Sequence, residues 1–294
     1  MKERLYAGIW RLGARVRNLA RRIGILGPFE RFLIRLGLFL VPLPKKEVVV
    51  TLPLGMTMVV PAGFPSARTY AAGLYEPAVT ELFQRIVSQG MGVVDLGANV
   101  GYHTLLLSQL VSPSGRVYAF EPDPIIYAAL IKNIKLNGCR NVAAVCQAVA
   151  NSTGSMTLVR DPYGCEGILT NKIDDKSKGD RLTVQTVALD HFFAAQGWPT
   201  IDLIKLDIEG SEKAALEGMR ELSRRSPHLQ LIMELNWVKL SQASVTREAL
   251  GLVLQELGFS HGYIIERGLM PCFVAHGLPK SSSVYNLLIK KECL

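Results

Sequence analysis

Apolar positions along this chain follow two periods, and the change from one to the other divides it. Leu5, Ile9, Leu12, Val16, Leu19 and Ile23 step by four and three residues, one helical stripe with arginines on the remaining faces. Gly27-Pro28 interrupts the stripe, and a second apolar segment from Phe29 to Leu40 stops at Pro42 and Pro44. Val48 to Val60 is rich in β-branched residues around Leu54-Gly55, which predicts a hairpin. Glu76-Pro77 opens a helix to about Ser88 that buries Leu82, Phe83, Ile86 and Val87.

From Met91 short apolar runs alternate with helical stretches, the pattern of a doubly wound α/β sheet. Strands are expected at 92–96, 116–121, 142–148, 201–207, 229–235, 260–266 and 283–290. Helices are expected near 100–111, 124–137, 188–196, 210–224 and 246–257. Residues 150–187 break the alternation: Met156 to Val159 and Leu182 to Val187 read as strands flanking a polar loop, Gly164 to Asp180. The predicted organisation is a helical arm, 1–46, a hairpin and helix, 47–90, and an α/β domain, 91–294, with an inserted flap, 150–187.

Composition changes this picture mainly through charge. The chain of 294 residues carries a net charge of +8, but residues 1–46 hold eleven basic and two acidic side chains. The remainder has 22 basic and 23 acidic residues, so the α/β body is neutral and nucleic acid is not an expected partner. Three readings of the arm stand open. It packs on the body, it lies in a membrane interface through residues 1–44 with its arginines on anionic head groups, or it is an organellar presequence poor in serine. The apolar run Phe32 to Leu43 is broken by Arg35 and Pro42, so no spanning helix is expected. Five cysteines without metal spacing fit a cytoplasmic location, with peripheral attachment at the inner membrane face as the variant.

The candidate chemistry starts at Asp95-Leu96-Gly97-Ala98-Asn99-Val100-Gly101-Tyr102-His103-Thr104, a strand ending in a carboxylate, a glycine turn and a helix. A dinucleotide fingerprint would need glycine where Asn99 and Tyr102 stand. A pyrophosphate is also repelled by a carboxylate at the strand end, whereas a ligand bearing an ammonium group is favoured by it. S-adenosylmethionine has that ammonium and no phosphate. Glu121 ends the next strand twenty residues after Gly101, the spacing of an acid that accepts two ribose hydroxyls, with Pro122 following. Strand order places Gln147 and Ala148 beside the adenine.

The fourth strand ends Lys205-Leu206-Asp207, then Ile208-Glu209-Gly210-Ser211-Glu212. Alternation puts Lys205 and Asp207 on one face, where a carboxylate is the partner a buried lysine needs. Asp207 is the expected catalytic group, with Lys205 and Glu209 in support; the structural alternative for Asp207 is a helix cap. Asp207, Glu234 and Asn236 also offer three oxygen ligands for Mg²⁺, the less favoured reading because oxygen-rich sheet edges are common. His103 reads as a helix-surface histidine, and Tyr75-Glu76 as residues that reach over the donor or acceptor.

Tyr75-Glu76-Pro77, Asp95 to Tyr102, Ala119-Phe-Glu-Pro122, Asp202 to Glu212 and Met233-Glu-Leu235 together resemble the FkbM family of S-adenosylmethionine-dependent methyltransferases over about residues 47–290. The resemblance implies a class I methyltransferase fold, a seven-stranded Rossmann-like sheet whose last strand is antiparallel. It implies O-methylation of a hydroxyl on a sugar, glycolipid, polysaccharide or secondary metabolite. The competing readings are a non-catalytic membrane-associated binding protein with this fold and an NAD-dependent oxidoreductase.

Overall fold

The computed structural model describes residues 43–160, 167–170, 180–272, 277–279 and 284–291. Residues 1–42, which carry the amphipathic stripe and with it the membrane and targeting readings, lie outside the described residues. Among the described residues no helix is long and apolar enough to cross a membrane.

The chain forms two compact units, Met1–Pro77 and Ala78–Leu294. In the first, β1 (Val48–Thr51) and β2 (Thr57–Val60) form the expected antiparallel hairpin around a short turn at Pro53–Gly55. A helix absent from the sequence reading, α1 (Ala67–Ala72), follows it. Helix α2 (Pro77–Ile86) falls almost wholly in the second unit, so the expected boundary at residue 90 moves to 77. The physical reason is burial: Val79, Leu82 and Phe83 pack with Val93, Leu106, Val117 and Leu203 of the α/β core.

The core strands are β3 (Gly92–Leu96), β4 (Arg116–Phe120), β5 (Val142–Val145), β10 (Leu203–Leu206), β11 (Gln230–Leu235), β12 (His261–Ile264) and β14 (Tyr285–Lys290). They lie in the order β12-β14-β11-β10-β3-β4-β5, parallel except for β14, which runs antiparallel between β11 and β12. All seven expected strands are present, in the class I methyltransferase arrangement. A two-residue strand, β13 (Met270–Pro271), adds an eighth at the edge beyond β12. Helix α3 (Tyr102–Val111) follows β3, and α4 (Pro124–Leu136) follows β4. Alternation sends Val94, Leu96, Ile204, Leu206, Leu231 and Met233 into one core and Val93, Leu203, Ile232 and Leu288 into the other.

The 150–187 insertion is a separate four-stranded sheet. Strands β6 (Ala148–Val149), β7 (Gly154–Arg160), β8 (Gly167–Thr170) and β9 (Arg181–Val187) take the order β6-β9-β7-β8. The two expected strands are β7 and β9, paired antiparallel; β8 lies inside the stretch read as loop. Ala148, Leu158 and Val184 form its small core. After α5 (Leu189–Ala195), the single helix expected over 210–224 is instead α6 (Glu212–Glu217) and α7 (Arg220–Arg225). The break sits at Gly218, where an added Cβ would lie 2.3 Å from the Ala150 carbonyl oxygen. The Asp190 carboxylate accepts from the Glu221 and Leu222 amides and so starts α7. Helices α8 (Trp237–Gln242) and α9 (Arg247–Glu256) complete the unit; α8 was not expected.

Candidate active site

The site is built where β3, β4, β10 and β11 end on one edge of the sheet. Asp95 closes β3 at 1% exposure, and its Oδ2 accepts from the Thr104 hydroxyl at 2.6 Å. Its Oδ1 is buried without a hydrogen-bond partner. Burial raises the Asp95 pKa, and Lys205 and Thr104 oppose the rise.

The turn after Asp95 is held close to its neighbours. The Gly97 and Ala98 amides both donate to the Phe120 carbonyl of β4, at 3.1 and 2.9 Å. Gly97 has φ +78, and a Cβ there would lie 1.9 Å from the Asp207 carbonyl oxygen; at Gly101, φ +101, a Cβ would meet Leu130. Glycine at these two positions lets the turn pass between β10 and α4. The Val100 carbonyl accepts from the buried Asn133 side chain at 2.8 Å, which ties the turn to α4. The residue at the start of α3 is Gly101, which has no side chain to cap it. Tyr102 and His103 at that start point inward, both buried, with their rings edge-on at 5.0 Å.

Glu121, 7% exposed, lies beside this turn. Its Oε2 accepts from the Asn99 amide at 3.0 Å and its Oε1 from the Asp123 amide at 2.9 Å. Burial outweighs these bonds and raises its pKa to about 7. Each oxygen keeps the capacity for a second donor. Pro122 is half-buried next to it. Gln147 is half-buried in the link from β5 to β6, whereas the Ala148 side chain belongs to the core of the inserted sheet. Glu76 lies in the first unit with φ 37, the left-handed region.

The second half of the site follows β10. Lys205, 2% exposed, sits in register with Asp95 across the β10–β3 pair, and its Nζ donates to Asp207 Oδ2 at 2.8 Å. Burial pushes the Asp207 pKa up, but Lys205 and a Glu234 hydrogen bond outweigh it and hold it down to about 2. Asp207 stands four residues before Ser211, the residue at the start of α6, and so does not cap that helix. Glu212 braces the turn between them, its Oε1 accepting from the Ile208 and Gly210 amides at 3.3 and 3.2 Å. Burial raises Glu212 to about 7. Glu209 is held at φ 53, a strained conformation of the kind found at functional sites, and its Oε2 lies 3.4 Å from Lys239 Nζ.

Two expectations change here. Asn236 serves as a helix cap, its Oδ1 accepting from the Lys239 amide of α8 at 3.3 Å. Among the described residues the carboxylates that converge are Asp207, Glu209 and Glu234, with ligand atoms within 4.8 Å of one another. His103 is not a surface histidine; it is 4% exposed and packs edge-on to Phe83 at 5.4 Å. Burial, with Lys205 nearby, lowers its pKa well below the usual range, so it is neutral.

Sequence reasoning missed Asp123 and Arg160. Asp123 caps α4 by accepting from the Ile125 amide at 2.8 Å, and its carboxylate pairs with Arg160 through both Nε and Nη2. The Asp123-Pro124 pair was a readable cap signal; its partner 37 residues on was not.

A model of the methyltransferase FkbM domain matches residues 95–265, more than half of the chain. The chain is 27% identical to methyltransferase sdnD of Sordaria araneosa over 196 residues, 57% of this chain and 73% of that protein. It is 26% identical to hexuronic acid methyltransferase AglP of Haloferax volcanii over 125 residues, 42% of this chain and 48% of that one. It is 28% identical to 31-O-demethyl-FK506 methyltransferase FkbM of Streptomyces tacrolimicus over 156 residues, 44% of this chain and 59% of that one. The chain thus spans about half the length of the last two relatives. With the strand order and the glycine turn behind Asp95, the matched region places this chain in the FkbM family of S-adenosylmethionine-dependent methyltransferases.

Proposed function

We propose that the protein transfers a methyl group to a hydroxyl of a small carbohydrate or polyol acceptor, at the edge formed by Asp207, Glu209 and Glu234. The observation that carries this reading is the Lys205–Asp207 pair, a carboxylate kept ionised at the lip of the sheet beside the donor turn. The relatives named for a hexuronic acid and for 31-O-demethyl-FK506 support a hydroxyl-bearing acceptor.

Donor residues follow from the fit. S-adenosylmethionine brings an already activated methyl on a sulfonium, together with a ribose, an ammonium and a carboxylate. Glu121, held by the Asn99 and Asp123 amides, accepts the ribose hydroxyls. Gly97, Ala98 and Gly101 let the ligand approach the backbone, and the N-terminus of α3 at Tyr102 to Thr104 favours its carboxylate. Asp95 contributes a negative field that favours the ammonium and opposes a phosphate. Pro122, Gln147 and the backbone of Ala148 border the adenine.

Methyl transfer needs alignment more than proton abstraction. Asp207, ionised across the working range, accepts a hydrogen bond from the acceptor hydroxyl and fixes the attacking oxygen. As the acceptor's new C–O bond forms, the donor's sulfur–methyl bond breaks and neutral S-adenosylhomocysteine leaves; the alkylated oxygen is strongly acidic, so even a weakly basic carboxylate takes its proton. Lys205 holds Asp207 in place, and Glu209 borders the acceptor. On the same sheet side a cavity of about 340 Å³ is lined by Ile264, Arg267, Met270, Cys272, Pro279 and Tyr285, room for part of a sugar-sized acceptor. Lys205 and Lys239 already balance two of the three carboxylates, so the edge works without Mg²⁺.

Asp207→Asn is the direct test. It lowers turnover by about a hundredfold or more, within the range for a positioned proton acceptor, while calorimetry gives an unchanged donor affinity. Full turnover in that variant contradicts the assignment.

A further inference from the structure

The inserted sheet ends at the donor side of the site. Along β7, Met156, Leu158 and Arg160 share one face, and Leu158 anchors that face against Ala148 and Val184. Arg160 is the last residue of the row. Its side chain is 18% exposed and meets Asp123, whose side chain is 7% exposed. Nη2 donates to Asp123 Oδ1 at 2.8 Å, and Nε donates to Oδ2, a two-point clamp. The backbone of Arg160 is fixed too, its amide donating to the Asp180 carbonyl at 2.9 Å. Asp123 in turn donates its own amide to Glu121 Oε1 at 2.9 Å.

The geometry points to Arg160 as a positioning residue for donor binding, acting from the inserted sheet through Asp123 upon Glu121. This inference rests on the reading of Glu121 as the carboxylate that accepts the donor's ribose. Two physical effects join at the clamp. The fork orients Asp123 so that its amide stays aimed at Glu121, which a single-point contact would not do. The guanidinium also neutralises Asp123, which stands two residues from Glu121. The charged or titratable groups that act on Glu121 are Asp123 and Asp95, with the Cys146 thiol responding to Glu121 and Asp123. With Arg160 in place, part of the Asp123 charge is compensated, although Asp123 still opposes ionisation of Glu121. Without it, the full carboxylate charge opposes that ionisation, and the ribose loses its acceptor at neutral pH.

The test measures S-adenosylhomocysteine binding by calorimetry, from pH about 5.5 to about 8.5, in the full chain. Three variants separate orientation from charge. Arg160→Gln removes both: affinity falls about tenfold near neutral pH, the loss of one charged hydrogen bond, and the pH midpoint of binding rises. Arg160→Lys keeps the charge without the fork: affinity falls while the midpoint stays. Asp123→Asn retains a helix cap and removes the repulsion, so the midpoint falls. Shifts of opposite sign in Arg160→Gln and Asp123→Asn are not produced by a general loss of structure, and thermal melting identifies any variant that fails to fold. Affinity and midpoint equal to wild type in Arg160→Gln overturn the inference; if that variant does not fold, unchanged affinity in Arg160→Lys overturns it. Absence of binding by the wild-type chain overturns instead the donor reading on which it rests.

Discussion

Glu121 is the residue whose chemistry is most exposed to experiment. It is buried, and its pKa stands at about 7 in place of 4.5. An acid raised in the folded state binds its proton more tightly there, so the free protein loses stability as pH rises from about 4.5 through about 7. Glu212, raised to about 7 as well, adds to the same window. Ribose hydroxyls favour the ionised form of Glu121, so donor binding expels its proton. At pH about 6, where the free group is mostly protonated, binding releases close to one proton; at pH about 8.5 it releases almost none. Calorimetry in two buffers of different ionisation enthalpy measures this, and zero release at the lower pH contradicts the role.

Asp207 behaves in the opposite way. Held down to about 2, it remains ionised throughout, and it does not set the acid limb of a rate profile. Its cluster with Glu209 and Glu234 has the oxygen count of a divalent-cation site. The difference is the lysines, Nζ of Lys205 at 2.8 Å from Asp207 and Nζ of Lys239 at 3.4 Å from Glu209. A cation bound there would meet two positive neighbours. Turnover is accordingly unchanged, within about twofold, by millimolar EDTA and by added Mg²⁺. Loss of activity on chelation, restored by Mg²⁺, contradicts the lysine-balanced account.

At the scale of elements, the turn between β3 and α3 is the tightest joint. Gly97→Ala would place a Cβ 1.9 Å from the Asp207 carbonyl oxygen, so β3 and β10 must separate just where donor and acceptor sides meet. Backbone atoms cannot yield as a flexible side chain does. The substitution weakens donor binding and lowers turnover together, each by at least about tenfold. Titration calorimetry alongside a turnover assay checks it; a variant that keeps both values removes the turn from the site.

The same elements mark how far the sequence could be read. The parallel strands were legible because they are buried on both faces and therefore appear as short apolar runs. The Lys205–Asp207 pair was legible because alternation puts both on one face and a buried lysine demands a partner. What stayed hidden depends on contacts distant in sequence. The helix expected over 210–224 breaks because Gly218 abuts Ala150, and nothing near Gly218 signals that approach. Strand β8 is a short run in a polar stretch, stabilised by pairing with β7. His103 looked like surface because its position in the first turn says nothing about Phe83, which covers it. Asn236 matched the oxygen pattern but serves α8 as its cap, a competing use of the same side chain.

At the scale of the whole molecule, the two ends of the reaction lie on one sheet edge and are served by different parts of the chain. In the proposed reaction the glycine turn and Glu121, with Arg160 of the inserted sheet behind them, serve the donor. The proposed acceptor side lies after β10 and β11, where Glu234 is in register with Asn286 and Leu235 with Tyr285 of β14. Residues 1–46 carry the excess of basic charge, and the rest of the chain is nearly balanced. The central claim is methyl transfer to a hydroxyl, and the bond formed distinguishes it from transfer to a carboxylate. The deciding measurement incubates the full chain with methyl-labelled S-adenosylmethionine and a panel of neutral sugars and uronic acids. The account predicts label in an acceptor as a base-stable methyl ether. Label released by mild alkali as a methyl ester, or no transfer to any hydroxyl acceptor by a chain that binds the donor, contradicts it.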